Sequence, residues 1–147
     1  MVPNFWGTFF EIFDNGFEPS IYEKCPQSIS NPRENLGSIQ YETNILGECP
    51  RYFGIELKYA NSKVKLSNVK PEWNSQLECY CLNFFGRVKK ASARNFQLVF
   101  EDDNDNILLQ HGKSTRDEFN IDFREPISLI QAFAISLVSI GKKRVVS

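Results

Sequence analysis

Apolar and polar residues alternate along most of this chain. Phe119, Ile121 and Phe123 alternate with Asn120 and Asp122, and Ile55, Leu57 and Tyr59 with Glu56 and Lys58. A period of two is the signature of strands with one buried face. The same reading predicts strands near residues 7–13, 36–43, 76–85, 94–100 and 107–111. Turn residues separate them: Asp14-Asn15-Gly16 after the first, and Asp102 to Asn106 between the strands ending at Phe100 and beginning at Ile107. Residues 18–35 carry Pro19, Pro26 and Pro32 among polar residues and read as a surface loop.

One segment has a different pattern. From Pro126 to Ile140, PISLIQAFAISLVSI has apolar residues on every side, a proline suited to the first helical position and Gly141 as a stop. It predicts a buried helix over about 126–140. About fifteen residues fall short of the roughly twenty that span a bilayer, so the helix belongs to a protein core. A helix without a polar face needs apolar walls around it, so Phe133 and Leu137 are expected to be almost free of solvent. On that expectation Phe133→Ala costs about 3–5 kcal/mol.

Composition sharpens the picture. At 147 residues the chain suits one domain with a real core, and 41% hydrophobic with 24% charged residues exclude a disordered chain. Thirteen phenylalanines favour strands and a bulky barrel or sandwich core. A net charge of −1 supplies no general attraction to nucleic acid or acidic lipid, so an anion site must be a local cluster of Lys and Arg. The first ten residues lack the basic and apolar regions of a signal peptide. The cysteines at 25, 49, 79 and 81 accordingly read as reduced thiols.

The stretch Asn83-Phe84-Phe85-Gly86-Arg87-Val88, followed by Ala91-Ser92-Ala93-Arg94-Asn95-Phe96-Gln97, closely resembles the tubby-like signature N-F-x-G-R-V then A-S-V-K-N-F-Q. A second signature resembles Gln131-Ala132-Phe133-Ala134-Ile135-Ser136-Leu137. Gly7-Thr8, Asp14-Asn15-Gly16, Tyr41-Glu42-Thr43-Asn44-Ile45-Leu46-Gly47, Trp73-Asn74 and Phe119-Asn120-Ile121-Asp122 fall in the family's order, so the resemblance covers nearly the whole chain.

This resemblance implies a mainly β fold over residues 1–147: an antiparallel tubby-type β-barrel around a central hydrophobic C-terminal helix. It implies no enzyme activity and no cofactor. It implies a phosphoinositide-binding adaptor for headgroups of the phosphatidylinositol 4,5-bisphosphate type, peripheral at the cytoplasmic face of the plasma membrane, with cilium or nucleus as further locations. Three departures qualify it. Family strands that precede the segment matching Asn4 to Thr8 have no counterpart, which predicts an incomplete barrel with an open edge. A charge-rich stretch is shortened between Val64 and Trp73, and the usual C-terminal tail is replaced by residues 139–147. The first departure also removes a Lys-x-Arg pair that grips headgroup phosphates, the arginine position falling on Val2. A further family arginine matches Arg33.

Arg33 thus carries the lipid-site expectation, as a planar, permanently charged fork suited to phosphate; it reads equally as an exposed loop arginine. Lys142, Lys143 and Arg144 are candidate accessory cations, although readable polybasic clusters hold at least about four, and a solvated tail explains them as well. Arg87, Lys89, Lys90 and Arg94 form the densest basic stretch, but no RNA-binding or helix-turn-helix motif accompanies them. Cys79 and Cys81 face the same way on a strand, short of the about four ligands zinc requires. His111, the single histidine, lacks an oxyanion-hole motif for a Cys-His nucleophile, and the acidic run 101–106 lacks the glycine and terminal glutamate of a calcium loop. Beside lipid binding stands a protein-interaction or structural remnant of a tubby domain without it.

Overall fold

The alternating segment of Ile55, Leu57 and Tyr59 lies in a strand in the middle of the main sheet. A computed structural model describes residues 1–4, 7–18, 31–42 and 52–141. The Asn35–Tyr41 strand (β3) and the Phe53–Tyr59 strand (β4) each send every second residue inward, Ile39 and Tyr41 from one and Phe53, Ile55 and Leu57 from the other. Six further strands extend this pair: β1 (Val2–Pro3), β2 (Phe9–Phe13), β5 (Ser62–Asn68), β8 (Phe96–Phe100), β9 (Leu109–Lys113) and β10 (Phe119–Phe123). They form one antiparallel sheet in the order β1-β2-β3-β4-β5-β8-β9-β10. Between β5 and β8 the chain makes a separate two-stranded ribbon, β6 (Glu72–Asn74) and β7 (Cys79–Cys81). The mainly β, incomplete-barrel fold expected from the resemblance is the one observed: a sheet curled into a half-barrel with one C-terminal helix.

A row of aromatic rings crosses the inner face. Phe10 meets Tyr41 edge-on at 6.2 Å, Tyr41 meets Phe53 at 4.9 Å, and Phe53 meets Phe96 edge-on at 5.1 Å. Phe96 then stacks on His111, and His111 on Phe119. The row joins β2, β3, β4, β8, β9 and β10, so it ties strands far apart in sequence through large apolar contacts.

Helix α1 (Leu129–Ile140) lies against this face. Its start is set by a capping box: the Ser128 hydroxyl accepts from the Gln131 backbone, while the Ser128 backbone donates to the Gln131 side chain at 2.9 Å. The helix therefore begins after Pro126, which is cis to Glu125 and outside the helix, rather than at it. Gln131 Nε2 also donates to the carbonyls of Leu36 and Lys58, at 2.9 and 2.8 Å, pinning the first turn to β3 and β4. Ala132, Ala134, Ile135 and Val138 are buried with Ile127 in the core.

The expected enclosure of Phe133 and Leu137 is corrected by the structure. Phe133 is 58% exposed and Leu137 44%, and with Leu129 and Ile130 they form one apolar strip in solvent. The cause is topological. The helix packs against β2, β3 and β10, but β1 and β10, the two ends of the sheet, do not pair with one another, so the wall stops short of closing round it. Two strand expectations shift as well. Only 79–81 of the 76–85 segment pairs, because an Asx turn at Asn83 and positive φ angles at Phe85 and Gly86 bend the chain away. The 107–111 strand lies at Leu109–Lys113.

The two sides of the helix should respond differently to truncation. Ile135→Ala is expected to lower the unfolding free energy by about 2–5 kcal/mol. The exposed Phe133→Ala should change it by only about 0.5 kcal/mol. Urea titrations of the two variants beside the parent chain measure the difference.

Candidate functional site

The site expected from sequence centres on Arg33, and the local structure around it is closely determined. The β2–β3 register shifts between Ile12, opposite Gly37, and Phe13, opposite Asn35. That irregularity turns the end of β2 so that the Phe13 ring lies beneath the Arg33 guanidinium, 4.2 Å from centroid to carbon. Beyond Phe13 the Asp14-Asn15-Gly16 turn is closed by the Asp14 carboxylate, which accepts from the backbone of Gly16 at 2.9 Å and of Glu34 at 2.8 Å. Those donors hold the Asp14 carboxyl below its ordinary value, Glu34 contributing most. Arg33 and Phe17 are joined through the backbone at 2.7 Å, and a Cβ on Gly16 would collide with the Arg33 backbone. Glycine at position 16 is thus what lets the turn approach the arginine.

Arg33 itself is half-buried, its side chain 24% exposed, with Glu18 Oε1 at 3.6 Å from one terminal nitrogen. Among the described residues its Nε, which is buried, has no hydrogen-bond partner. Such a guanidinium, stacked on one face and with an unused donor, is suited to an anion. The charged group already beside it is a carboxylate, which a phosphate would have to displace. Val2, where the resemblance places the family's arginine, is exposed in edge strand β1 opposite Glu11. Lys142, Lys143 and Arg144 lie outside the described residues, as do Cys25 and Cys49.

The basic stretch around the signature has structural tasks. Arg87 donates from Nε and a terminal nitrogen to the two oxygens of Asp122, both at 2.8 Å. This bidentate pair raises the Arg87 pKa and lowers that of Asp122. The Arg87 carbonyl accepts from Asn120 Nδ2, and the Arg94 carbonyl lies 2.9 Å from His111 Nδ1. Val88 occupies the space that a side chain at Gly112 would need. Residues 83–95 therefore cover the outer face of β8, β9 and β10, and the buried Gln97 and Gln110 bond to each other at 2.8 Å beneath them.

Two buried polar residues tie the helix to the sheet. His111 is fully buried, sandwiched between Phe96 and Phe119, with Nε2 3.0 Å from Ser136 Oγ on α1. With Nδ1–H donating to the Arg94 carbonyl, Nε2 accepts from the serine, so the ring is a neutral bridge between β9 and the helix. Its burial excludes it from a Cys-His nucleophile. Gln131 is the other, and its signal was available: glutamine three residues after Ser128 is a capping-box spacing. Cys79 and Cys81 do face the same way, with sulfurs 3.5 Å apart, and their hydrogen bond raises the Cys81 pKa.

Comparison with known proteins bears on this architecture. The family model described as Tub family matches residues 55–142. Protein king tubby of Drosophila sechellia is 36% identical over 169 residues, covering 95% of this chain and 36% of the relative. Protein king tubby of Drosophila melanogaster is 36% identical with 35% of its length covered, and that of Drosophila grimshawi 35% identical with 36% covered. The chain thus spans little more than a third of these relatives, at 36% of the first.

His111 makes the stability of this arrangement sensitive to mild acid. Burial lowers its pKa below the ordinary 6.5. In the unfolded chain the ring takes up a proton as pH falls through about 6.5, whereas in the folded chain it stays neutral to lower pH. Stability is therefore full above about pH 6.5 and declines below it. The groups packed on the ring, Phe96, Phe119 and Ser136, do not titrate in this range. Urea midpoints at pH 7.5 and 5.5 should differ, with a smaller difference in His111→Gln.

Proposed function

The chain belongs to the Tub family, and from that membership, together with the stacked and under-bonded Arg33, we propose that it is a non-catalytic phosphoinositide-binding module. Its ligand class is the headgroup of phosphatidylinositol 4,5-bisphosphate or a similar multiply phosphorylated inositol. Its setting is the cytoplasmic face of the plasma membrane, as a peripheral adaptor, with the cilium or nucleus as related locations. No helix among the described residues is long and apolar enough to cross a membrane, which accords with peripheral attachment.

The observation that carries this reading is the buried, unpartnered Nε of Arg33 beside a guanidinium face fixed by Phe13. A prepositioned fork loses little freedom on binding phosphate. The binding is weakened, however, because Glu18 already sits beside the fork and Val2 stands at the position of a second expected cation. A single charge-assisted contact contributes only about 1.5–3 kcal/mol. Selectivity among phosphoinositides should be poor, since it requires several cations in fixed geometry. Lys142, Lys143 and Arg144 are the accessory cations of this proposal, adding attraction without selectivity.

A second reading is a tubby domain that works through protein contacts alone, favoured by the apolar strip of α1 left in solvent. Co-sedimentation with phosphoinositide vesicles at several salt concentrations separates the two. Lipid binding predicts a weak, salt-sensitive association that drops about tenfold in Arg33→Ala and strengthens in Glu18→Gln. No association at low salt would favour the protein-contact reading. Tight binding indifferent to Arg33 and to salt would place the lipid site elsewhere.

A further inference from the structure

The two ends of the main sheet are unlike. At one end β1 is two residues long and contains Pro3, which has no N–H to offer a neighbour. Such a strand is a blunt edge. At the other end β10 runs for five residues, Phe119 to Phe123, with neither proline nor lysine. Among the described residues no backbone hydrogen bond joins its outer side to another strand. Its one charged side chain, Asp122, is neutralised by Arg87. An edge of this kind is a template for another strand.

The apolar strip of α1 lies next to it. The helix packs on β10 as well as on β2 and β3, and Leu129, Ile130, Phe133 and Leu137 stay exposed on it. From their exposures the strip amounts to roughly 400 Å², a size at which apolar patches on soluble proteins mark contact surfaces.

We propose that β10 pairs with β10 of a second copy of this chain, antiparallel and centred on Ile121, so that the sheet continues across a two-fold axis and the two helix strips cover one another. The occupant follows from the strand's own sequence. Centring on Ile121 sets Phe119 against the partner's Phe123, and Asn120 against the partner's Asp122. On the inner side every cross-strand pair is then apolar; on the outer side an amide faces a carboxylate and no like charges meet. A two-fold axis perpendicular to an antiparallel sheet keeps faces in common. Both helices therefore lie on the same side of the continued sheet, next to the axis. Pairing of β10 with a β1 edge would instead propagate head to tail, through a two-residue strand that contains proline; pairing of β10 with itself closes at two copies. The strips remove about 800 Å² together, and the two strand edges raise the total toward the roughly 1,200 Å² of stable interfaces.

Sedimentation velocity and light scattering across a concentration series test this. The chain should behave as a dimer that dissociates on dilution and does not grow further. Asn120→Asp places a carboxylate opposite the partner's Asp122 and should weaken dimerisation about tenfold, whereas Asn120→Lys, which places an ammonium there, should retain it. Phe133→Glu, at an exposed position, should yield monomer whose thermal melt matches that of the parent chain diluted until it is monomeric. A monomer at high concentration would overturn the proposal, and so would assembly beyond two copies or a dimer indifferent to both Asn120→Asp and Phe133→Glu. A monomer that co-sediments with neutral phosphatidylcholine vesicles through Phe133 would assign the strip to lipid and equally overturn it.

Discussion

A curled sheet has a concave apolar face that must be filled, and in this fold α1 fills it. The rest of the core depends on that contact. Ile135 and Val138 enter the concavity with Ala132, whose small side chain allows close approach. Apolar contact alone would let such a helix slide or rotate; two polar side chains fix it. Gln131 ties its first turn to the carbonyls of Leu36 and Lys58, and Ser136, a turn and a half further on, meets His111. A displaced helix would leave those buried groups without partners, a cost of about 1–3 kcal/mol for each. The arrangement gives a helix that is apolar on all sides one orientation.

The signature residues acquire their meaning from the opposite face. Residues 83–95 make no contribution to the concave core, yet they are the most recognisable part of the chain. Their role is to satisfy polar groups that a sheet of this curvature leaves beneath a covering loop: Gln97 with Asn83 and Gln110, Asn95 with Lys113, Asn120 with the Arg87 carbonyl. The Arg87 to Asp122 pair then fastens the loop to the last strand. The densest cluster of cations in the sequence is in part a fastening of the sheet, so charge density along the chain is a poor guide to where an anion would bind.

Period-two alternation located the central strands because each has one face against the helix and one against water or a polar loop. It missed β5, whose segment Ser62-Lys63-Val64-Lys65-Leu66-Ser67-Asn68 is largely polar. That strand is held in place by its neighbours, β4 and β8, and its Asn68 side chain accepts from the Phe53 backbone at 2.8 Å. Uniform hydropathy correctly marked α1 as a helix, but it does not distinguish a helix walled on all sides from one half open, since both need apolar residues all round if something is to cover the open side. Pro126 marked a helix start by its usual preference, and the Ser128 capping box prevailed because it satisfies two backbone donors where proline merely lacks one. At the candidate site, Arg33 was legible through the resemblance. Its support was not, because the ring of Phe13 reaches it through a register shift in the β2–β3 pair that no local pattern encodes.

Electrostatics limit how such a site can work. Among the described residues Lys58 is paired with Glu34, Lys63 with Glu56, Arg87 with Asp122 and Arg33 with Glu18. Together with a net charge of −1, this leaves little long-range field to draw the chain to an anionic surface, and exposed pairs of this kind are further screened within about 8–10 Å at physiological salt. On the proposed reading a headgroup would be held by local geometry, entering where a cation is already oriented and replacing a weak carboxylate contact by a stronger one. On that reading Arg33 and Glu18 would provide the exchange: at 3.6 Å their contact is longer than a charge-assisted hydrogen bond. The Arg87 to Asp122 pair would not, because both of its bonds are already short and its carboxylate accepts a further bond from Gln110. Of these two arginines, each set beside a carboxylate, the geometry leaves Arg33 free to exchange partners and commits Arg87 to the fold.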